Sequence, residues 1–345
     1  MMRPLVSGLV LAVLGCAAAA QPPDAPRRQF TLNERRAIDW GHSGTLTFVG
    51  EKLFFDARLS GTGRTACASC HDPAYAFAEP RRVSISDGGR HGRRNAPSLL
   101  DVGFLPVLMW DGRFRRLEHQ ALSPFQRGEM GIGIDEAVRR VNSDPEYVHL
   151  FREALGHRPS ANDLARALAA FQQTLISAES RVDRFLLGGN GSMLSRLEYD
   201  GLHIFTNRAA CSNCHELFPS RSGGRMHRRA LFTDFRFHNL GIGFRAGRFT
   251  DTGRYGLTLV EADLGAFRTP SLRNSARSAP YMHDGSLSTL EDVVEFYNAG
   301  GRPSPNLSPL IRPLFLDGYE KAALVAFLHA LTDEEHLYGR RQSQR

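Results

Sequence analysis

A pentapeptide occurs twice in this chain and limits its architecture more than anything else in the sequence: Cys67-Ala68-Ser69-Cys70-His71 and Cys211-Ser212-Asn213-Cys214-His215. The two copies use four of the five cysteines, and the fifth, Cys16, lies near the start. Two thiols three positions apart can reach the two vinyl groups of one porphyrin, and an imidazole directly after them can meet the iron. The pattern predicts two covalently bound haem c groups, tethered through Cys67, Cys70, Cys211 and Cys214, with His71 and His215 as iron ligands. A four-cysteine zinc site and a redox dithiol use similar pairs. Neither needs a histidine after each pair, and paired zinc knuckles lie closer than the 144 positions (211 − 67) found here.

Length and composition suit two soluble units. At 345 residues, with 42% hydrophobic and 23% charged residues, the chain can build about two globular cores. The net charge of +7 comes from arginines spread along the chain and is partly offset by haem propionates, so nucleic-acid binding is not expected. Residues 1–20 read as a Sec-type export signal: Arg3, an apolar run from Leu5 to Leu14, then small residues Ala17 to Ala20. That run is shorter than the ~20 residues that cross a bilayer, and no later segment is apolar for that long. The expected location is the periplasm, without a membrane span. Val13-Leu14-Gly15-Cys16 also resembles a lipoprotein box, which leaves lipid anchoring at Cys16 as an alternative.

Gln21 to Arg28 reads as a tether. Helices are expected over Leu32 to Phe55, Ile134 to Leu155, Ala161 to Leu187, Leu290 to Tyr297 and Gly318 to Leu331. Glu51 to Phe55 before the first cysteine pair resembles Gly201 to Phe205 before the second, an internal duplication with one haem per unit. The Gly-, Arg- and Phe-rich stretch from Arg221 to Arg268 reads as loops wrapped around a cofactor. Strand signals are few. The expected fold is mainly α, two cytochrome c-like domains over 29–190 and 193–338, each with one covalently bound c-type haem.

Further segments carry a resemblance: Leu53-Phe54-Phe55-Asp56, Asn95-Ala96-Pro97-Ser98, Trp110-Asp111-Gly112-Arg113, Phe267-Arg268-Thr269-Pro270-Ser271-Leu272-Arg273-Asn274 and Ser278-Ala279-Pro280-Tyr281-Met282-His283-Asp284-Gly285. With these the chain resembles the bacterial dihaem cytochrome c peroxidase and MauG family over nearly its whole length beyond the leader. The resemblance implies a peroxidatic first haem, an electron-transfer second haem and a tryptophan between them, which matches Trp110; core packing is the plain alternative for that indole. Peroxide cleavage needs a group that moves a proton between its oxygens and donors that stabilise the departing hydroxide. The family's distal Gln and Glu resemble Gln120 and Glu129, with the interval one residue shorter here; a solvated carboxylate is the alternative for Glu129.

Many family peroxidases hold a distal histidine in the resting state. The matching position, eight before Asn95, is Asp87, and His91 is out of step, so an open or weakly ligated first haem is expected, needing no reductive activation. Where family peroxidases place a methionine on the second iron, this chain has Tyr297, the MauG-like choice. A phenolate is hard and anionic and favours high-valent iron. Met282 and His283 remain rival ligands, and an ordinary helix tyrosine remains the plain alternative. The family also implies a calcium ion between the domains, on positions matching Asn95 and the carbonyls of Ser278 and Pro280; turn formation is the alternative for Asn95.

The expected function is a periplasmic dihaem peroxidase that reduces hydrogen peroxide with electrons from a small cytochrome c or cupredoxin. MauG-like, peroxide-driven oxidation of a protein substrate is the second reading, and a non-catalytic dihaem electron carrier the third. A homodimer is compatible with either enzyme.

Overall fold

The computed structural model describes residues 43–126, 128–177, 179–188, 191–217 and 230–334. The leader, Cys16, the tether, Trp40 and the first part of the helix expected from Leu32 lie outside the described residues.

Within them the chain is helix-rich with few strands. Helix α1 (Gly44–Phe55) opens on Ser43, whose side chain accepts from Leu46 N. Helix α2 (Leu117–Gln126) was not expected; its mixed composition, with Pro124 inside, hides the apolar period. The single helix expected over 134–155 is two, α3 (Ile134–Ser143) and α4 (Pro145–Leu155). Asp144 caps the second and Pro145 takes its first position, where a missing N–H is harmless, while the apolar period runs on across the joint. The helix expected over 161–187 also divides, into α5 (Ala161–Gln173) and α6 (Arg181–Gly188). Ser180 and Asp183 exchange side-chain-to-backbone hydrogen bonds that restart it. Then follow α7 (Arg196–Thr206), α8 (Tyr255–Thr258), α9 (Leu290–Asn298) and α10 (Gly318–Ala330). The 230–268 region holds two short antiparallel ribbons, β1 (Phe237–Asn239) with β4 (Ala266–Arg268) and β2 (Phe244–Arg245) with β3 (Arg248–Phe249).

Two hydrophobic clusters divide the interior. One gathers α1 to α5 and runs from Leu46 to Leu175; the other gathers α6, α7, α9 and α10 and runs from Val182 to Leu331. In the first, α1 packs on α5 so closely that a Cβ on Gly50 would lie 1.8 Å from the Ala167 carbonyl oxygen. In the second, α7 packs on α10 in the same way, and a Cβ on Gly201 would lie 1.9 Å from the Ala323 carbonyl oxygen. Phe54 then meets Phe171 at 5.1 Å and Phe205 meets Phe327 at 4.9 Å. The duplication expected from the sequence is present, one residue out of the expected register: Gly50, not Glu51, matches Gly201.

The repetition continues at a constant offset of 173 (268 − 95). Asp101 and Asn274 both take left-handed backbone, at φ 59° and 56°, as do Met109 and Met282, both at 70°. Leu108 bridges to Phe114 as Tyr281 bridges to Leu287. Where the halves meet, the correspondence becomes reciprocal: Asn95 N donates to His283 O and Arg268 N donates to Trp110 O, each at 2.8 Å. Trp110 and His283 are thus matching residues beside a pseudo-two-fold axis.

Candidate functional site

Each half encloses a cavity at its Cys-x-x-Cys-His turn. The first, of 580 Å³, is lined by Cys67, Cys70, His71, Gln120 and Glu129. The second, of 240 Å³, is lined by Cys211, Cys214, His215, Met282 and Tyr297. Trp110, Asn95, Pro97 and Arg268 line both. The four described cysteines form no disulfide and do not converge: among the described residues the one metal-type cluster is Cys214, Asp234 and His238. A four-cysteine zinc site is therefore not built. Burial pushes the Cys67 thiol up to about 12, Cys211 to about 12 and Cys70 to about 11, so these sulfurs are poor thiolates and poor redox nucleophiles as they stand.

The two histidines are held alike. His71 Nδ1 lies 3.0 Å from Phe77 O and His215 Nδ1 2.8 Å from Phe232 O. Both carbonyls belong to residues with left-handed backbone, φ 57° and 51°, which turns each oxygen back toward the ring. A bonded Nδ1 leaves Nε2 as the ligating nitrogen. Burial lowers both imidazoles below their ordinary value, which keeps the neutral, ligating form.

The donor set fits haem. Arg268 is 4% exposed, and its guanidinium bonds only to the carbonyls of Thr269, at 3.0 Å, and Met109, at 3.4 Å. No carboxylate faces it among the described residues, and burial lowers it to about 10. A buried cation without a counter-charge is costly unless an anion arrives, and haem propionates are such anions. In the first cavity the buried Gln120 Oε1, Ser123 Oγ and Gln172 Oε1 also lack partners among the described residues.

Gln120 reaches the first cavity from α2, and Glu129, exposed at its rim, follows the end of that helix. The Glu129 N–H donates to Pro124 O and its carbonyl accepts from Asp87 N, so both ends of its peptide are fixed. Asp87 does not line the cavity. Its carboxylate accepts from Thr62 Oγ1 at 2.6 Å and Thr62 N at 2.7 Å, and these bonds hold it at about 2. His91 is exposed and lines the rim.

Tyr297, on the last turn of α9, lines the second cavity, where burial raises its phenol pKa. Met282 lines it too. His283 also lines it; its ring stacks on Phe267 at 3.6 Å and 14° and meets Trp110 edge-on at 6.4 Å. Trp110 Nε1 donates to Asn95 O at 2.8 Å. Asn95 in turn gives its amide hydrogens to Glu79 O and Arg81 O, and it lines the second cavity with Ser278 and Pro280.

Gln172, Arg268 and His238 were not singled out from the sequence. His238 Nε2 lies 2.8 Å from Asp234 Oδ2; that bond, with Cys214 nearby, raises the imidazole to about 9. One signal was readable: Leu117-Glu118 and Leu290-Glu291 are 173 residues apart, like Trp110 and His283, and extend the repeat into α2 and α9.

Comparison with known proteins places this geometry. The sequence pattern of the di-haem cytochrome c peroxidase family matches residues 46–191. Methylamine utilization protein MauG of Methylorubrum extorquens is 36% identical over 289 residues, 83% of this chain and 78% of that protein. Cytochrome-c peroxidase IdrP1 of a Pseudomonas species is 33% identical over 96% of this chain and 92% of its own. A crystal structure of a MauG-like protein associated with microbial copper homeostasis superposes with a TM-score of 0.79 at 33% identity, covering 94% of this chain and 98% of that one.

Proposed function

Because the chain belongs to the dihaem cytochrome c peroxidase and MauG family, we propose that it holds both haems covalently, one in each of two cytochrome c-like domains, and reduces hydrogen peroxide at the first while electrons arrive through the second. It is a peroxidase-type oxidoreductase with two haems. Cys67, Cys70 and His71 would hold the first, and Cys211, Cys214, His215 and Tyr297 the second.

One observation carries the division of labour. At the offset of 173, Tyr297 on α9 matches Pro124 on α2, and each lines its own cavity. A tyrosine offers a phenol oxygen to iron and a proline side chain offers nothing. This supports an open first iron and a closed second one, and the pinning of Asp87 away from the cavity agrees with it.

When bound, haem supplies an iron that takes peroxide as a ligand and exchanges single electrons. The chain's own residues do the rest. Glu129, at the rim with its backbone fixed, carries a proton from one peroxide oxygen to the other, and the Gln120 amide donates to the departing oxygen. Trp110 lies against both cavities and is fixed through Nε1, so its indole is the stepping stone for electrons. Asn95 Oδ1, turned from the two carbonyls that its amide nitrogen serves, joins the carbonyls of Ser278 and Pro280 as a calcium site. The leader would place the protein in the periplasm, where a small cytochrome c or cupredoxin is the donor.

Tyr297 specifically favours the second reading, oxidation of a protein substrate as in MauG, because an anionic oxygen ligand stabilises oxidised iron. Stopped-flow mixing of the fully ferric protein with peroxide, after a resting electron paramagnetic resonance spectrum, tests the assignment. A high-spin signal that is consumed by peroxide without prior reduction is expected; two low-spin irons inert to peroxide would refute it.

A further inference from the structure

A cleft of 630 Å³ lies between residues 81–93 of the first half and the β2–β3 ribbon of the second. Its walls carry Arg81, Arg82, Arg93 and Arg245, all exposed, and its floor is His283. The acids nearby are largely engaged. Glu79 holds Arg81, and Asp251 takes a two-pronged bond from Arg94 at 2.7 and 2.9 Å. Arg82 donates only to the Asp284 carbonyl, at 3.3 Å. The side chains of Arg93 and Arg245 have no charged or hydrogen-bonding partner among the described residues. Asp284 also lines the cleft and accepts from Ser286 N at 3.2 Å, so the guanidiniums of Arg93 and Arg245 leave the cleft with planar donors in excess of acceptors, the arrangement that recognises carboxylates two at a time.

The floor is as informative as the walls. His283 is 4% exposed and lines both this cleft and the second cavity, and neither ring nitrogen has a hydrogen-bond partner among the described residues. Its ring meets Trp110, which lines both cavities. His91 and Arg93 line the cleft and the first cavity together. An aromatic pair thus runs from the bottom of a cationic cleft to the residue between the two haem sites.

We propose that this cleft docks the acidic face of a small redox protein and that His283 and Trp110 conduct its electrons to the haems. This rests on the peroxidase reading and deepens it by naming the partner's chemistry. Each docking event oxidises the partner by one electron; two of them, with two protons, turn one peroxide into two waters. Carboxylates steered by unpaired guanidiniums raise the encounter rate, and salt suppresses that gain. The rival surface is the pair of exposed apolar side chains Leu310, which lines the second cavity, and Phe315.

The test uses the holoprotein with a reduced, acidic small cytochrome, followed by stopped flow as a function of salt. Arg93→Gln/Arg245→Gln removes two positive charges, and Arg152→Glu on α4 changes net charge equally, away from the cleft. The cleft variant is expected to lower the second-order rate about tenfold at low salt, converging with the wild type at high salt, while Arg152→Glu has little effect. His283→Leu is expected to lower the limiting rate at saturating donor. An unchanged rate in the cleft variant, an equal loss in Arg152→Glu, or an unchanged limiting rate in His283→Leu overturns the proposal, as does loss confined to Phe315→Asp. Reaction of peroxide with the ferric wild-type protein and with Arg152→Glu, without donor, reports separately on the peroxidase reading.

Discussion

Pro124 and Tyr297 occupy the same step of matching helices, each seven residues after the leucine that opens its helix, Leu117 in α2 and Leu290 in α9. Ligation of the two irons is therefore expected to differ at one side chain. Tyr297→Phe should change the ferric spectrum of the second haem and leave the high-spin signal of the first in place. Tyr297→Met should raise the second potential, since a thioether favours ferrous iron. A ferric spectrum that is identical in Tyr297→Phe would remove the phenol from the iron.

Glu129 stands at the rim of the first cavity with its peptide fixed at both ends. Glu129→Gln should slow the reaction of ferric protein with peroxide by about 10²- to 10⁴-fold, the usual contribution of a positioned proton carrier. Binding of a ligand that needs no proton transfer, followed by optical titration, should change far less.

Gly201 on α7 leaves no room for a side chain against Ala323. Gly201→Ala should destabilise the protein by about 3 kcal/mol or more by overpacking, although alanine is the better helix former by about 1 kcal/mol. Gly50→Ala should do the same in the other half. Denaturant melts followed at the haem bands would show either half failing first.

His238 is held near 9 by Asp234, above the ~6.5 of a free imidazole. Its contribution to stability is complete below about pH 6.5 and is lost as pH rises through about 9. The melting temperature should fall over that window, and His238→Gln should flatten the decline.

Much of the site could be read from the sequence because covalent and ligand chemistry is local: two cysteines and a histidine in five residues carry their own geometry. Helix starts were legible where a cap was present, as at Ser160, Thr289 and Asp317. The breaks at Asp144 and Thr174 were not, since apolar spacing continues through them. Arg268 and Gln172 escaped notice for another reason. Neither residue type signals burial without a counter-charge, as at Arg268, or without a partner, as at Gln172 Oε1; that follows only from packing between segments far apart in the chain. Asp87 shows the reverse, a residue whose absence of ligand chemistry was legible while its bond to Thr62 was not.

The Arg268 guanidinium, which meets carbonyls but no carboxylate among the described residues, is expected to tie assembly of this protein to its prosthetic groups. A polypeptide lacking them carries a cation without counter-charge where the halves exchange backbone bonds, and carboxylates delivered there are expected to strengthen docking of the halves. Chains with one haem site empty are then expected to be less stable than fully loaded ones.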